Sequence, residues 1–106
     1  MSKIKKVNLR NGRTKRVYYY LDGTIEREIY YLNDKTHRED GPASIWYCGD
    51  GTIKCEYYYL NDKPHREDGP ASIWYCGDGT IKREVYCLNG HELTKKQFEQ
   101  QLLKKK

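Results

Sequence analysis

The sequence predicts an all-β protein: an antiparallel meander of repeated β-hairpins with a 28-residue period and about seven strands, closed by a short C-terminal capping helix. Three observations predict it. The stretch HREDGPASIWYCGDGTIK occupies residues 37–54 and recurs unchanged at 65–82. Asp22-Gly23, Asp50-Gly51 and Asp78-Gly79 recur in the same register, and such dipeptides favour two-residue hairpin turns because glycine takes positive φ without steric cost. The flanking runs, such as SIWYC and IKCEYYYL, are rich in β-branched and aromatic residues and too short for helices. A unit that cannot bury its own apolar face needs siblings to shield it.

The elements follow in order. Asn11-Gly12 turns a basic hairpin with strands at about 4–10 and 14–20. The repeat then places strands at about 25–32, 43–48, 53–60, 71–76 and 81–88, with long loops between units. Leu32-Asn33-Asp34-Lys35 aligns with Leu60-Asn61-Asp62-Lys63 and with Leu88-Asn89-Gly90, so three registers cover roughly Arg13 to Gly90. With Asp50-Gly51 as the turn, alternation sets Trp46 opposite Cys55 and Cys48 opposite Ile53 on one side. Ile45 opposite Glu56 and Tyr47 opposite Lys54 fall on the other. Thr94 and Gln97 form a capping-box signature, with Leu93 and Phe98 at the staple positions. They predict a helix over 95–103, packed on the last strand as repeat arrays require of a cap. The chain therefore divides into a β-repeat sheet, 1–92, and a capping helix with a basic tail, 93–106.

Composition bounds the class. Eleven Tyr and two Trp against one Phe suit half-buried positions better than a dry core. The net charge of +5 divides unevenly: residues 1–16 carry +7, residues 93–106 carry +4, and the repetitive body between them −6. Like-charge blocks at termini read as solvated arms. A nucleic-acid footprint needs basic residues clustered on one face, so the acidic body argues against that ligand. Cys48, Cys55, Cys76 and Cys87 form no CxxC pair; no secretory leader and no membrane-length apolar run is expected, which points to reduced thiols in the cytoplasm. No metal and no cofactor are expected, because these spacings match no common zinc pattern.

The stretch YYLNDKTHREDGPASIWYCGDGTIKCEYYYLND resembles the variant MORN-type repeats, whose units pair a Tyr-rich strand with an Asn-Gly turn. It is more similar still to the His-Arg-Glu-Asp-Gly-Pro-Ala repeats of uncharacterised proteins from giant viruses and bacteriophages. The likeness covers about Tyr18 to Gly90 and the helical cap, and the heptads at 37–43 and 65–71 carry most of it. Asp34 and Asp62 stand where those turns usually have Gly, and the first unit lacks the heptad. The resemblance implies a β-repeat scaffold for binding other molecules, with no enzymatic activity. A viral or phage origin would imply a host factor as partner, in the host cytoplasm, inhibited by occlusion.

Each heptad gathers His, Arg, Glu and Asp, the residue types of acid–base catalysis. Their intact recurrence favours a structural loop clamp instead. In that reading Asp40 and Asp68 accept backbone N–H groups, Arg38 and Arg66 pair with acids of the neighbouring unit, and His37 and His65 tie loop to loop through a ring N–H. Glu28, Glu56 and Glu84 form a ladder that needs donors, with Lys54, Lys82, Tyr hydroxyls or a heptad His as candidates. The predicted function is a non-catalytic protein-binding module using an aromatic and acidic sheet surface, with Trp46, Trp74, Tyr58, Glu56 and Glu84 as contact residues. The alternative is nucleic acid stacked on the rings beside the basic termini. Self-association through open sheet edges and contact of the basic arms with charged lipid are further possibilities, without a membrane span.

Overall fold

The computed structural model describes residues 3–104. Its core is an antiparallel meander of hairpins, as the repeat predicts, ending in one helix. The strands are β1 (Ile4–Asn8), β2 (Arg13–Tyr19), β3 (Ile25–Leu32), β4 (Lys35–Thr36), β5 (Ser44–Tyr47), β6 (Ile53–Tyr57), β7 (Tyr59–Leu60), β8 (Lys63–Pro64), β9 (Ser72–Tyr75), β10 (Ile81–Leu88) and β11 (His91–Leu93), followed by α1 (Lys95–Lys104). The main sheet runs β1-β2-β3-β5-β6-β9-β10-β11, and β4 pairs with the end of β3. The molecule measures 47 × 37 × 17 Å, a slab one sheet thick in places where no side chain can retreat into a two-layer core.

Two features depart from the sequence reading. The first is the Asp-Gly turn. Gly51 N–H donates to Cys48 O at 3.0 Å and Cys48 N–H to Thr52 O at 2.8 Å, so Gly49-Asp50-Gly51 is a three-residue loop. Only Gly51, at φ 89°, is left-handed, whereas a two-residue type I′ turn needs positive φ at both central positions. Asp50 is held out of that conformation because its carboxylate accepts from Thr52 N–H at 3.0 Å and Thr52 Oγ1 at 2.7 Å. The same bonds recur at Asp22 and Asp78. The extra residue produces a bulge, so Tyr47 lies opposite Ile53 rather than Lys54, and Cys48 closes the loop on Thr52. Trp46 opposite Cys55 and Ile45 opposite Glu56 are as expected.

The second departure is inside the presumed long loops. The true two-residue turns are Asn33-Asp34, Asn61-Asp62 and Asn89-Gly90, each with both residues at positive φ; Asn11-Gly12 shares that conformation, but Leu9 N–H donates to Arg13 O and leaves Arg10 as an extra residue in its loop. Asn and Asp tolerate this region better than other side chains. Each later turn returns the chain for two or three residues as β4, β8 or β11. These return strands were too short to carry a periodic signal. The predicted strand at 53–60 is also split, into β6 and β7 around Tyr58.

Residues directly opposite across a strand pair share a face. One row reads Tyr18, Arg27, Trp46, Cys55, Trp74, Arg83; this side is the aromatic face. Its counterpart reads Val17, Glu28, Ile45, Glu56, Ile73, Glu84; this side is the carboxylate face. Buried residues include Val17, Ala43, Ile73, Ala71, Cys87, Leu88 and Phe98. All four cysteines are free. The last strand runs through Leu93, and Thr94 opens the helix: Gln97 N–H donates to Thr94 Oγ1 at 3.1 Å and Thr94 N–H to Gln97 Oε1 at 3.0 Å. No described helix is long and apolar enough to cross a membrane.

Candidate functional site

The heptads come first, because they carry the residue types of catalysis. In the first, Arg38 lies over the Tyr30 ring at 4.0 Å, donates from Nε to Asp40 Oδ1 at 3.0 Å and from Nη1 to Pro42 O at 3.2 Å. Arg66 repeats this on Tyr58 at 4.0 Å, Asp68 at 2.8 Å and Pro70 O at 3.2 Å. Gly41 leaves room for the guanidinium: a Cβ there would meet Arg38 Cζ at 3.1 Å. Ala43 and Ala71 are fully buried. The arginine thus closes its own loop; it does not pair with acids of the neighbouring unit. A carboxylate two residues away is always within reach, and that local geometry wins. Asp40 and Asp68 each accept an arginine Nε, and this bond holds both carboxyls below the usual range.

His37 is buried and its Nδ1 accepts the Asn61 N–H at 3.0 Å; His65 Nδ1 accepts the Asn89 N–H at 2.9 Å. The bond between units therefore uses the ring as acceptor, opposite to the donor role expected. The proton then sits on Nε2, which faces Glu39 Oε1 at 3.3 Å and Glu67 Oε2 at 3.4 Å. Backbone bonds from Arg38 N–H to Tyr59 O and from Arg66 N–H to Cys87 O complete each junction. Every residue of the heptad has a structural contact.

The third register has no heptad, and the helix takes its place. Tyr30, Tyr58 and Tyr86 are equivalent positions; Arg38 and Arg66 lie over the first two, and the Phe98 ring packs on Tyr86 at 4.9 Å between centroids. Each of the three equivalent tyrosines on the carboxylate face thus has a group packed on its ring.

The glutamate ladder is spaced by intervening strands carrying Ile45 and Ile73, so the carboxylates are not adjacent. Glu28 takes Lys15 Nζ at 2.6 Å and Tyr47 OH at 2.5 Å; Glu56 takes Tyr75 OH at 2.5 Å. Lys54 and Lys82, named from sequence, do not fill this role. Burial works to raise the Glu28 pKa, but the bonds from Lys15 and Tyr47 outweigh it and hold the carboxyl low. Glu84 is exposed, because no third SIWY strand follows to offer it a tyrosine. Among the described residues, no His, Cys, Asp and Glu side chains gather into a metal-holding group of three or more.

The five contact residues named from sequence fall on two surfaces. Glu56, Tyr58 and Glu84 belong to the carboxylate face, where Glu56 is bonded and Tyr58 lies under Arg66. Trp46 and Trp74 belong to the aromatic face, half-exposed. No flat partner can touch both sets at once. Around the two indoles the structure assembles groups that sequence reasoning missed. Arg27 lies between Tyr18, at 4.1 Å, and Trp46, at 4.6 Å; Arg83 lies over Trp74 at 5.2 Å; Arg16 lies over Tyr31 at 5.1 Å. Tyr57 meets Trp74 edge-on at 5.6 Å, and Trp46 Nε1 donates to Ser44 Oγ at 3.0 Å. The signal was present: Arg27 and Arg83 occupy the repeat position of Cys55, which alternation already set opposite Trp46.

No family model, curated protein or solved structure matches this chain.

Proposed function

We propose that this protein is a non-catalytic binding module that presents the aromatic face of its sheet to a macromolecular partner. One observation carries the reading: the helix and both heptad arginines pack on the carboxylate face, while on the other Trp46 and Trp74 stay partly exposed with Arg27 and Arg83 beside them. Half-exposed indoles beside arginines are the composition of interface hot spots. The heptad groups that resemble acid–base machinery are engaged in holding loops, which supports a scaffold over an enzyme. The sequence predicts one protein-binding surface joining the indoles to Glu56, Tyr58 and Glu84; the indoles lie on the opposite side from those three, and the side of the indoles is the one taken here as the contact surface. For a domain this thin, occlusion of the partner's surface is the mechanism available.

Affinity capture from a lysate by wild type and by a Trp46→Ala/Trp74→Ala double variant tests this, with circular dichroism confirming that the variant is folded. Loss of the ligands that wild type retains, whether protein or nucleic acid, is the expected result. Unchanged capture by the folded variant means that the contact surface lies elsewhere.

A further inference from the structure

The two faces differ in charge as well as in rings. Register places Lys6, Arg16, Arg27 and Arg83 on the aromatic face, with Glu92 the carboxylate registered there among the described strand positions. The opposite face carries Glu28, Glu56 and Glu84, with Lys5, Arg13 and Lys15 registered on the same side and the loop acids Asp40 and Asp68 paired to Arg38 and Arg66. Arginines of the two faces are also used differently. Arg38 and Arg66 are bonded to carboxylates. Among the described residues, Arg16 and Arg83 ride on rings without an ion pair, and Arg27 has Glu26 at 3.8 Å. Along the central strands the repeats thus set Glu28, Glu56 and Glu84 on one side and Arg27 and Arg83 on the other.

The rings are evenly spaced. Tyr18, Trp46 and Trp74 stand on alternate strands of one row, about 9–10 Å apart at the usual strand separation. Arg27 fills the interval between the first two, and Arg83 follows the third. We infer that the aromatic face binds an unpaired polynucleotide running across the strands, its bases stacked on Trp46, Trp74 and Tyr18 and its phosphates on Arg16, Arg27, Arg83 and Lys6. This rests on the reading of that face as the contact surface, and charge complementarity selects the occupant. A duplex hides its bases from the rings, and a lipid surface offers charge without flat groups to stack. Every base has a π-face, so the recognition is tolerant of sequence.

Both tryptophans of the chain lie in the proposed site, so intrinsic fluorescence reports on it directly. The probe is a 15-nucleotide oligo-dT at low salt, with a duplex of equal length, inorganic polyphosphate and anionic vesicles as comparisons. Quenching by the oligonucleotide is expected, with binding at least about tenfold tighter than to the duplex and a log–log salt slope of about −2 to −3, from three or four phosphates at about −0.7 each. Trp74→Ala weakens binding about tenfold. Arg83→Gln, at an exposed position that leaves folding intact, makes the slope shallower by about 0.7. Absence of quenching, equal binding to the duplex or polyphosphate, preference for vesicles, or an unaltered slope in Arg83→Gln overturns the inference. If the oligonucleotide fails while nuclease-treated lysate still yields a protein that the double variant loses, the polynucleotide falls and the contact surface stands.

Discussion

Asp62 and Thr36 bond each other twice: Asp62 N–H donates to Thr36 O at 2.9 Å, and Thr36 N–H donates to Asp62 Oδ1 at 2.6 Å. One period later, Gly90 N–H donates to Pro64 O at 2.9 Å, and the second bond has neither its donor nor its acceptor. Proline has no N–H and glycine no carboxylate. The two junctions of the array are therefore unequal, and the paired loss leaves no group stranded.

Restoring the pair should show coupling. Pro64→Thr alone exposes an unpaired N–H, and Gly90→Asp alone costs about 1 kcal/mol for placing a side chain at positive φ. A Cβ at Gly90 meets only ordinary contact, with Lys63 Cβ at 3.7 Å. The double variant is expected to be more stable than the sum of the singles by about 1–2 kcal/mol, the value of a charge-assisted hydrogen bond. A double-mutant cycle in urea measures this.

Stability should fall at both ends of the pH range, for reasons that can be separated. Glu28 is held below its ordinary 4.5, so its contribution is present above that value and lost as pH falls through the folded one. Lys15 is raised above 10.5 chiefly by its bond to Glu28. Burial and then the bond to Glu56 push Tyr75 up to about 12. Groups raised in this way stabilise the fold below their unfolded values, and that stability is lost as pH rises. Glu56→Gln should bring the Tyr75 phenol toward its ordinary 10.0 in an ultraviolet titration, with a smaller downward move of the Tyr47 phenol, which is held up chiefly by burial and by its bond to Glu28.

The helix should act as the missing third lid. Phe98 is 5 % exposed and rests on Tyr86. Phe98→Ala is expected to cost about 3–4 kcal/mol, the range for deleting a buried aromatic. A ten-residue helix is marginal by itself, so it should unfold from the sheet and expose Tyr86. Amide exchange would show the helix losing protection, while β5 and β6 keep theirs.

Much of the architecture was legible because it rests on local chemistry. The capping box at Thr94 and Gln97, the hairpins around Asp22, Asp50 and Asp78, and the pairing of Trp46 with Cys55 follow from turn preference and alternation. Missed features were small or non-local. β4 and β8 have two residues each, too few for a period. The three-residue loop at Asp50 turned on whether its carboxylate bonded Thr52 or let the backbone go left-handed, and the dipeptide suits both outcomes. The roles of Arg38 and His37 depended on which partner lay nearer once the loop had closed.

The duplication by itself determined a meander of sibling hairpins and a helical cap, because each unit repeats the same turn and strand chemistry and no unit can shield its own face. Tertiary structure alone decided how the charges were sorted. Net charge sums along a chain without regard to direction, whereas successive side chains of a strand point to opposite sides of a sheet. Alternation therefore set Glu28, Glu56 and Glu84 on one face and Arg27 and Arg83, with the two indoles, on the other.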